Sequence, residues 1–268
     1  MQITRLNGAL GARVSQIDWT AGLTAAQMDT IGAALDEYGV LAVEAAEMRP
    51  EQHVALGQHF GELEHHEFFD NQGTGSEHIT VLDSTRGDRA NMWHVDEQFL
   101  ANPPIITMTH AIQLPPYGGD TAFISLGAAF DGLSPGMQRY LDGLSALHDL
   151  GKIAELRWQH GNADGTLLAA EVSKGKYASH PVVLTHPTTG RKGIYVSPTY
   201  TRWIEALPPV EAKAILDFLF VHLQKPEFAY RHRWQTGDML VWDNRAVMHY
   251  AALDFADRRL MHRISVIG

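Results

Sequence analysis

The run Trp93-His94-Val95-Asp96 decides how this chain is read. A histidine and an aspartate stand two positions apart, and a second histidine, His249, lies far downstream. Two imidazoles and one carboxylate on one face of an ion leave its other positions open, the arrangement iron(II) uses for oxygen chemistry. In extended backbone residues i and i+2 point to one side, so His94 and Asp96 can share an ion while Val95 turns into the wall. The other reading of a lone His-x-Asp is a histidine hydrogen-bonded to its neighbour. His249 follows the apolar run Met239-Leu240-Val241-Trp242 and the turn-like Asp243-Asn244-Arg245, and a strand over 246–250 would bring it back toward the first pair. A site assembled this way needs a rigid β scaffold.

The flanking sequence supplies one. β-branched and apolar runs at 40–43, 79–82, 105–114, 121–126, 182–185, 194–196, 228–234, 239–242 and 264–267 read as strands. A strand pair with a turn is expected over 8–19. Thr24 is placed to cap a helix that runs to about residue 38 and ends at Gly39, and Pro50 suits the first turn of a helix reaching about residue 60. Two more helices are expected over 126–144, broken at Ser134-Pro135, and over 209–223. Many short strands with few helices predict a mainly β chain with flanking helices, best as a double-stranded β-helix of the jelly-roll, cupin-like type. Residues 1–268 are expected to form one domain, with a polar, glycine-containing, lid-like excursion around 152–179.

Composition sets limits. The 268 residues include 45% hydrophobic and 19% charged, enough for a core. The net charge of −10 and the absence of any Lys/Arg run argue against nucleic acid as a partner. No apolar run approaches the ~20 residues of a membrane helix, and no signal peptide is read at the start, so a cytoplasmic, membrane-free protein is expected. With no cysteine, thiolate metal sites and cysteine nucleophiles are excluded. Fifteen histidines are too many to be ligands, so position must separate them.

Downstream of His249 lies Arg258-Arg259-Leu260-Met261-His262-Arg263-Ile264. In a strand Arg259 and Arg263 share a face but stand ~13 Å apart, too far to clamp one carboxylate together. They would hold different groups of an acid through their planar forks, or else be solvated or paired with Asp254 and Asp257. Arg258 is expected to be one of those surface residues. Gly118-Gly119-Asp120-Thr121 reads as a tight turn feeding a strand, with the Thr121 hydroxyl a neutral donor to an oxygen ligand.

Taken in order, Trp-His-Val-Asp, Gly-Gly-Asp-Thr, Trp-Asp-Asn-Arg leading to His249, and Arg-Arg-Leu-Met-His-Arg, the chain resembles the taurine/dichlorophenoxyacetate dioxygenase family of iron(II), 2-oxoglutarate-dependent oxygenases. The resemblance runs over nearly the whole chain, including His180-Pro181-Val182-Val183, Thr185-His186-Pro187 and Arg231-His232-Arg233-Trp234. It implies that His94, Asp96 and His249 bind Fe(II). It also implies that Thr121 and Arg259 hold the distal carboxylate of 2-oxoglutarate, and that Arg263 contacts an anionic substrate or the cosubstrate. The implied reaction consumes O2 and 2-oxoglutarate, releases succinate and CO2, and hydroxylates a substrate C–H. The presence of Asp96 favours hydroxylation over halogenation, because related halogenases lack that carboxylate.

For the substrate, a small organic anion is expected. His66, after Phe60-Gly61-Glu62, is either an anion donor or an exposed histidine beside Glu64 and Glu67. Tyr195 aligns with a family aromatic near the substrate. The segments Arg89-Ala90-Asn91-Met92 and Lys152-Ile153-Ala154 depart from taurine enzymes, which favours a more apolar acid such as an aryloxyalkanoate, cleaved at its ether. The alternatives are a taurine-like sulfonate or alkyl sulfate dioxygenase, and outside the class a zinc hydrolase or a non-catalytic jelly-roll binding protein. A homo-oligomer, dimer or tetramer, is expected, with Phe218 and Phe220 either at its interface or in the core.

Overall fold

The computed structural model describes residues 1–65, 74–86, 91–151 and 176–268. In chain order the strands are β1 (Gln2–Arg5), β2 (Ala12–Ser15), β3 (Val40–Glu44), β4 (Glu62–Leu63), β5 (Thr80–Asp83), β6 (Ile106–Gln113), β7 (Thr121–Ser125) and β8 (Ser145–Asp149). They continue with β9 (Tyr177–Pro181), β10 (Val183–Thr185), β11 (Lys192–Ile194), β12 (Thr201–Ile204), β13 (Ala229–His232), β14 (Asp238–Asp243), β15 (Val247–Ala251) and β16 (Leu260–Ile267). The large sheet is ordered β1-β2-β3-β14-β6-β16-β4, with β5 also paired to β16. It is antiparallel except where β2 meets β3. A second antiparallel sheet, β13-β7-β15, faces it. Val40, Ala42, Ala111, Leu240, Trp242 and Met261 of the large sheet pack with Phe123 and Val247 of the small one. This is a jelly-roll sandwich, in which alternate residues of each strand point between the sheets.

Helices cover the outer faces. α1 (Ala25–Tyr38) starts at Thr24, whose side chain and that of Gln27 cap each other reciprocally, and ends where Gly39 turns left-handed at φ +72°. α2 (Pro50–Phe60) begins on its proline as expected. Their apolar faces, with Ile31, Leu35 and Leu56, cover Ile106, Met108, Val241, Ile264 and Val266 on the back of the large sheet. Each such buried side chain contributes ~1.5–3 kcal/mol. Behind the small sheet, α3 (Leu126–Asp131), α4 (Pro135–Leu141) and α5 (Pro209–Leu223) pack on Ile124 and Met248.

The differences from the sequence reading have local causes. The 126–144 helix breaks at Ser134-Pro135 as expected, but its first part already ends at Asp131 before Gly132 and its second stops at Leu141. The first hairpin pairs β1 with β2, so it begins at Gln2 rather than within 8–19. Only Ile194 of the 194–196 run is in a strand, although Tyr195 and Val196 are buried. β8, β9 and β12 form a further sheet whose mixed polarity hides its period. Of the 152–179 excursion, residues 152–175 lie outside the described residues, and β9 begins at Tyr177. No helix among the described residues is long and apolar enough to cross a membrane. On α5, Phe218 is exposed, whereas Phe220 packs on the core.

Candidate active site

His94 and His249 are brought together by main chain. His94 N–H donates to the His249 carbonyl at 3.0 Å, and His249 N–H donates back to His94 at 2.8 Å, a single bridge beside β15. Their rings then lie 4.1 Å apart. His94 Nδ1 is 2.6 Å from the Met92 carbonyl, so that nitrogen carries the proton and Nε2 presents its lone pair. The His249 ring is set by packing, with Phe123 stacked at 6.0 Å and Trp242 at 4.8 Å. Its Nδ1 is buried without a hydrogen-bond partner among the described residues. Burial and the neighbouring His94 push the His249 pKa down to about 3, keeping it neutral, the form in which imidazole binds metal.

Asp96 arrives from a turn rather than a continued strand. The next residue, Glu97, is held left-handed at φ +47°, an uncommon state for a residue with a side chain. Val95 points into the core, as the alternation required. Asp96 Oδ1 lies 3.6 Å from Nε2 of both histidines. That is too long for a hydrogen bond and reasonable for ligands sharing an ion at ~2.0–2.2 Å from each. The three ligand atoms fall within 4.8 Å of one another, and all three residues are buried. Asp96 Oδ2 faces elsewhere, accepting the Thr107 hydroxyl at 2.7 Å and meeting Arg263 Nη2 at 3.3 Å. Burial opposes ionisation of Asp96, but Arg263 and the imidazoles outweigh it and hold the carboxyl well below its usual range. Arg263 is likewise buried, and Asp96, Glu97 and Glu64 raise its pKa in spite of that burial.

Arg259 is different. The residue is half-buried with its Nε fully enclosed, and desolvation alone lowers its pKa to about 10. Its Nε has no partner and no ion pair forms with it among the described residues. It lies 5.5 Å from the Trp234 ring, and Trp234 Nε1 donates to Thr121 Oγ1 at 3.0 Å. With its oxygen accepting from Trp234, the Thr121 hydroxyl keeps its own proton for another acceptor. Thr121 starts β7 directly after the Gly118-Gly119 turn. A Cβ on Gly118 (φ +75°) would sit 2.5 Å from the Asp254 carbonyl oxygen, so glycine is required there. A half-buried guanidinium with no ion pair among the described residues, near a spare hydroxyl, fits one end of a carboxylic acid, and two imidazoles with a carboxylate fit a divalent ion.

The other expected residues separate. Tyr195 is in the core, flanked by the rings of His148 and His180. The tyrosine beside the triad is Tyr200, its ring 6.3 Å from His94 and 5.2 Å from Phe99, in an apolar patch with Leu150. His66 lies outside the described residues. Arg258 is a surface residue as expected, but its partner is Asp83, reached at 2.6 Å. A second group, Asp36, His186 and Asp243, is closed to metal. His186 Nδ1 accepts from the Thr188 and Thr189 amides, its Nε2 donates to Asp243, and Asp243 also takes Arg245.

Comparison with known proteins agrees with this geometry. The family model "Taurine catabolism dioxygenase TauD, TfdA family" matches residues 2–265. A Schizosaccharomyces pombe protein, described provisionally as an alpha-ketoglutarate-dependent sulfonate dioxygenase, is 32% identical over 92% of this chain, which spans 64% of that relative's length. The alpha-ketoglutarate-dependent 2,4-dichlorophenoxyacetate dioxygenase of Cupriavidus pinatubonensis is 30% identical, covering 98% of this chain and 96% of its own. The crystal structure of a taurine dioxygenase from Burkholderia xenovorans superposes with a TM-score of 0.82 at 30% identity, covering 100% of this chain and 89% of that one.

Proposed function

Because the chain belongs to the TauD/TfdA family of 2-oxoglutarate-dependent dioxygenases, we propose that it hydroxylates a small organic anion, with His94, Asp96 and His249 holding Fe(II). Arg259 and the Thr121 hydroxyl bind the distal carboxylate of 2-oxoglutarate. The observation that carries this assignment is Arg259, half-buried with its Nε enclosed and with no counter-charge among the described residues. A zinc hydrolase has no use for such a cation, and a binding protein has no use for an open triad beside it. When bound, iron supplies O2 activation coupled to decarboxylation of the keto acid. The chain orients the two acids, keeps the His249 imidazole neutral and excludes water from around the ion.

We assign Arg263 to the substrate anion or to the near end of the cosubstrate, and the Phe99–Tyr200–Leu150 patch to the substrate's apolar portion. That patch supports an aryloxyalkanoic acid, whose hydroxylation next to the ether oxygen leads to collapse and ether cleavage; the Cupriavidus relative acts on such an acid by its name. A sulfonate substrate is supported equally by the names of the fission-yeast and Burkholderia proteins, and an alkyl sulfate by that of an alkylsulfatase of Acinetobacter baylyi that is 28% identical to this chain. The test is anaerobic addition of Fe(II) and 2-oxoglutarate, read by the visible charge-transfer band of the chelate, followed by succinate release with each class of acid. Stimulation by aryloxyalkanoates and not by sulfonates supports the first reading. Stimulation by taurine alone replaces it with the second, and no band from folded protein removes both.

A further inference from the structure

We propose that Asn244, anchored by Trp242, is a positioning residue that acts through the Thr107 hydroxyl to fix which oxygen of Asp96 faces the metal; this rests on Asp96 being a ligand. The four side chains form one line of hydrogen bonds. Trp242 Nε1 donates to Asn244 Oδ1 at 3.0 Å, Asn244 Nδ2 donates to Thr107 Oγ1 at 2.9 Å, and Thr107 donates to Asp96 Oδ2 at 2.7 Å. Asn244 and Thr107 are fully buried, and Trp242 and Asp96 nearly so.

The direction of the line is forced. An indole N–H can only donate, so the amide oxygen of Asn244 must face it and the amide nitrogen must face Thr107. Thr107 has one proton, and with its lone pair engaged by Asn244 that proton goes to Asp96. A flipped amide would set its NH2 against the indole N–H and offer its oxygen to Thr107, drawing the hydroxyl proton away from Asp96. Begun by an obligatory donor and ended by an obligatory acceptor, the relay engages Oδ2 and leaves Oδ1 at 3.6 Å from both imidazoles.

The backbone around Asn244 is fixed as well. Asn244 N–H donates to the Ile105 carbonyl at 2.9 Å and Asp243 N–H to Gly39 at 3.1 Å. The Asp243 carboxylate is clamped by His186 and Arg245. Trp242 also packs its ring 4.8 Å from His249. One residue therefore supports two members of the triad, one by ring contact and one through the relay.

The test is Co(II) titration of the metal-free protein, followed by the d–d absorption of the bound ion, for wild type, Thr107→Ser, Thr107→Val and Asn244→Leu. Thr107→Ser keeps the hydroxyl and should bind within about threefold of wild type. Thr107→Val should bind roughly 10- to 100-fold more weakly, the usual effect of losing a hydrogen-bond partner behind a metal ligand. Asn244→Leu should weaken binding in the same direction, and the double variant should be no weaker than Thr107→Val alone, because the two act in series. A merely structural role would lower the melting temperature and leave Co(II) affinity alone. Wild-type affinity in Thr107→Val or Asn244→Leu overturns the relay. If Thr107→Val does not fold, Thr107→Ala and Asn244→Leu decide by the same criterion. A wild type that binds no cobalt overturns the ligand assignment, and the relay with it.

Discussion

Strands β6 and β16 lie side by side, and their two faces treat buried nitrogen in opposite ways. On the outer face, His110 and His262 are cross-strand partners, and His53 of α2 sits over them, its ring 6.3 Å from that of His110. Burial lowers all three pKa values, and repulsion from the neighbouring histidines adds to it for His53, which falls to about 3, and for His110, which falls to about 4. These groups accept burial by giving up charge. On the inner face, Arg263 stays charged because Asp96, Glu97 and Glu64 favour its charged form, and Arg259 stays charged with no carboxylate paired to it among the described residues. A buried charge that no partner compensates is a cost to folding, and it is reasonable only where a ligand will meet it. The outer face is built for packing and the inner face for binding.

The largest expected break in that contrast is Asp96→Ala. Turnover should fall to background, while the circular dichroism of the variant stays native, because the inner face carries chemistry and the outer face the fold. Undiminished succinate release would remove Asp96 from the ligand set. Next is Arg259→Ala. Losing a charge-assisted pair costs ~1.5–3 kcal/mol, roughly a 10- to 150-fold rise in the 2-oxoglutarate requirement. A saturation curve for succinate release checks it, and an unchanged half-saturation point would return Arg259 to the class of structural cations.

The outer histidines give a third effect of about 2 kcal/mol. Unfolded histidine titrates near 6.5, whereas His53 and His110 in the fold titrate at about 3 and about 4. Between those values the unfolded chain takes up protons that the folded chain refuses. Stability is therefore fully present above pH ~6.5 and falls as the pH drops toward 4, by ~1.4 kcal/mol per unit for each group. For His53 alone the loss from 6.5 to pH 5 is about 2 kcal/mol. Melting curves at pH 7.5 and 5 should therefore differ more for wild type than for His53→Met. Parallel pH slopes in the two proteins would mean that the outer face does not resist protonation.

What could be read in the sequence follows the same division. The His94-Val95-Asp96 pair, the Gly-Gly turn before Thr121, the cap of α1 and the proline start of α2 are local signals, and each appears where its residues placed it. The period of 2 in β6 and β14 also separates the two faces. Contacts between distant strands were not legible. Thr107 reads as one more β-branched strand residue, and only the pairing of β6 with β14 brings Asn244 to it. Trp242-Asp243-Asn244-Arg245 was visible as a motif, but not as a support for Asp96. Tyr195 and Tyr200 stand five residues apart, and only the turn between them sets Tyr195 in the core and brings the Tyr200 ring to His94. The alternative pairing of the arginines with Asp254 could not be judged from sequence for a related reason. Asp254 is only five residues before Arg259, but its carboxylate receives the Gly119 amide and Arg231 instead.

The smallest effect is the sharpest test of separation. Ile264 is on the outer face of β16, next in the chain to Arg263 on the inner face, and is buried against α2, with its Cγ2 3.2 Å from the Cβ position of Gly57. Ile264→Val keeps that Cγ2 contact, removes one methylene from the rest of the buried side chain and should cost ~0.5–1.5 kcal/mol of stability. Because alternate residues of a strand face opposite ways, the change should not reach Arg263, and the half-saturation for 2-oxoglutarate should match wild type. If half-saturation rises together with the loss of stability, strain passes through the sheet from one face to the other. The outer packing would then be part of how the inner arginines are held.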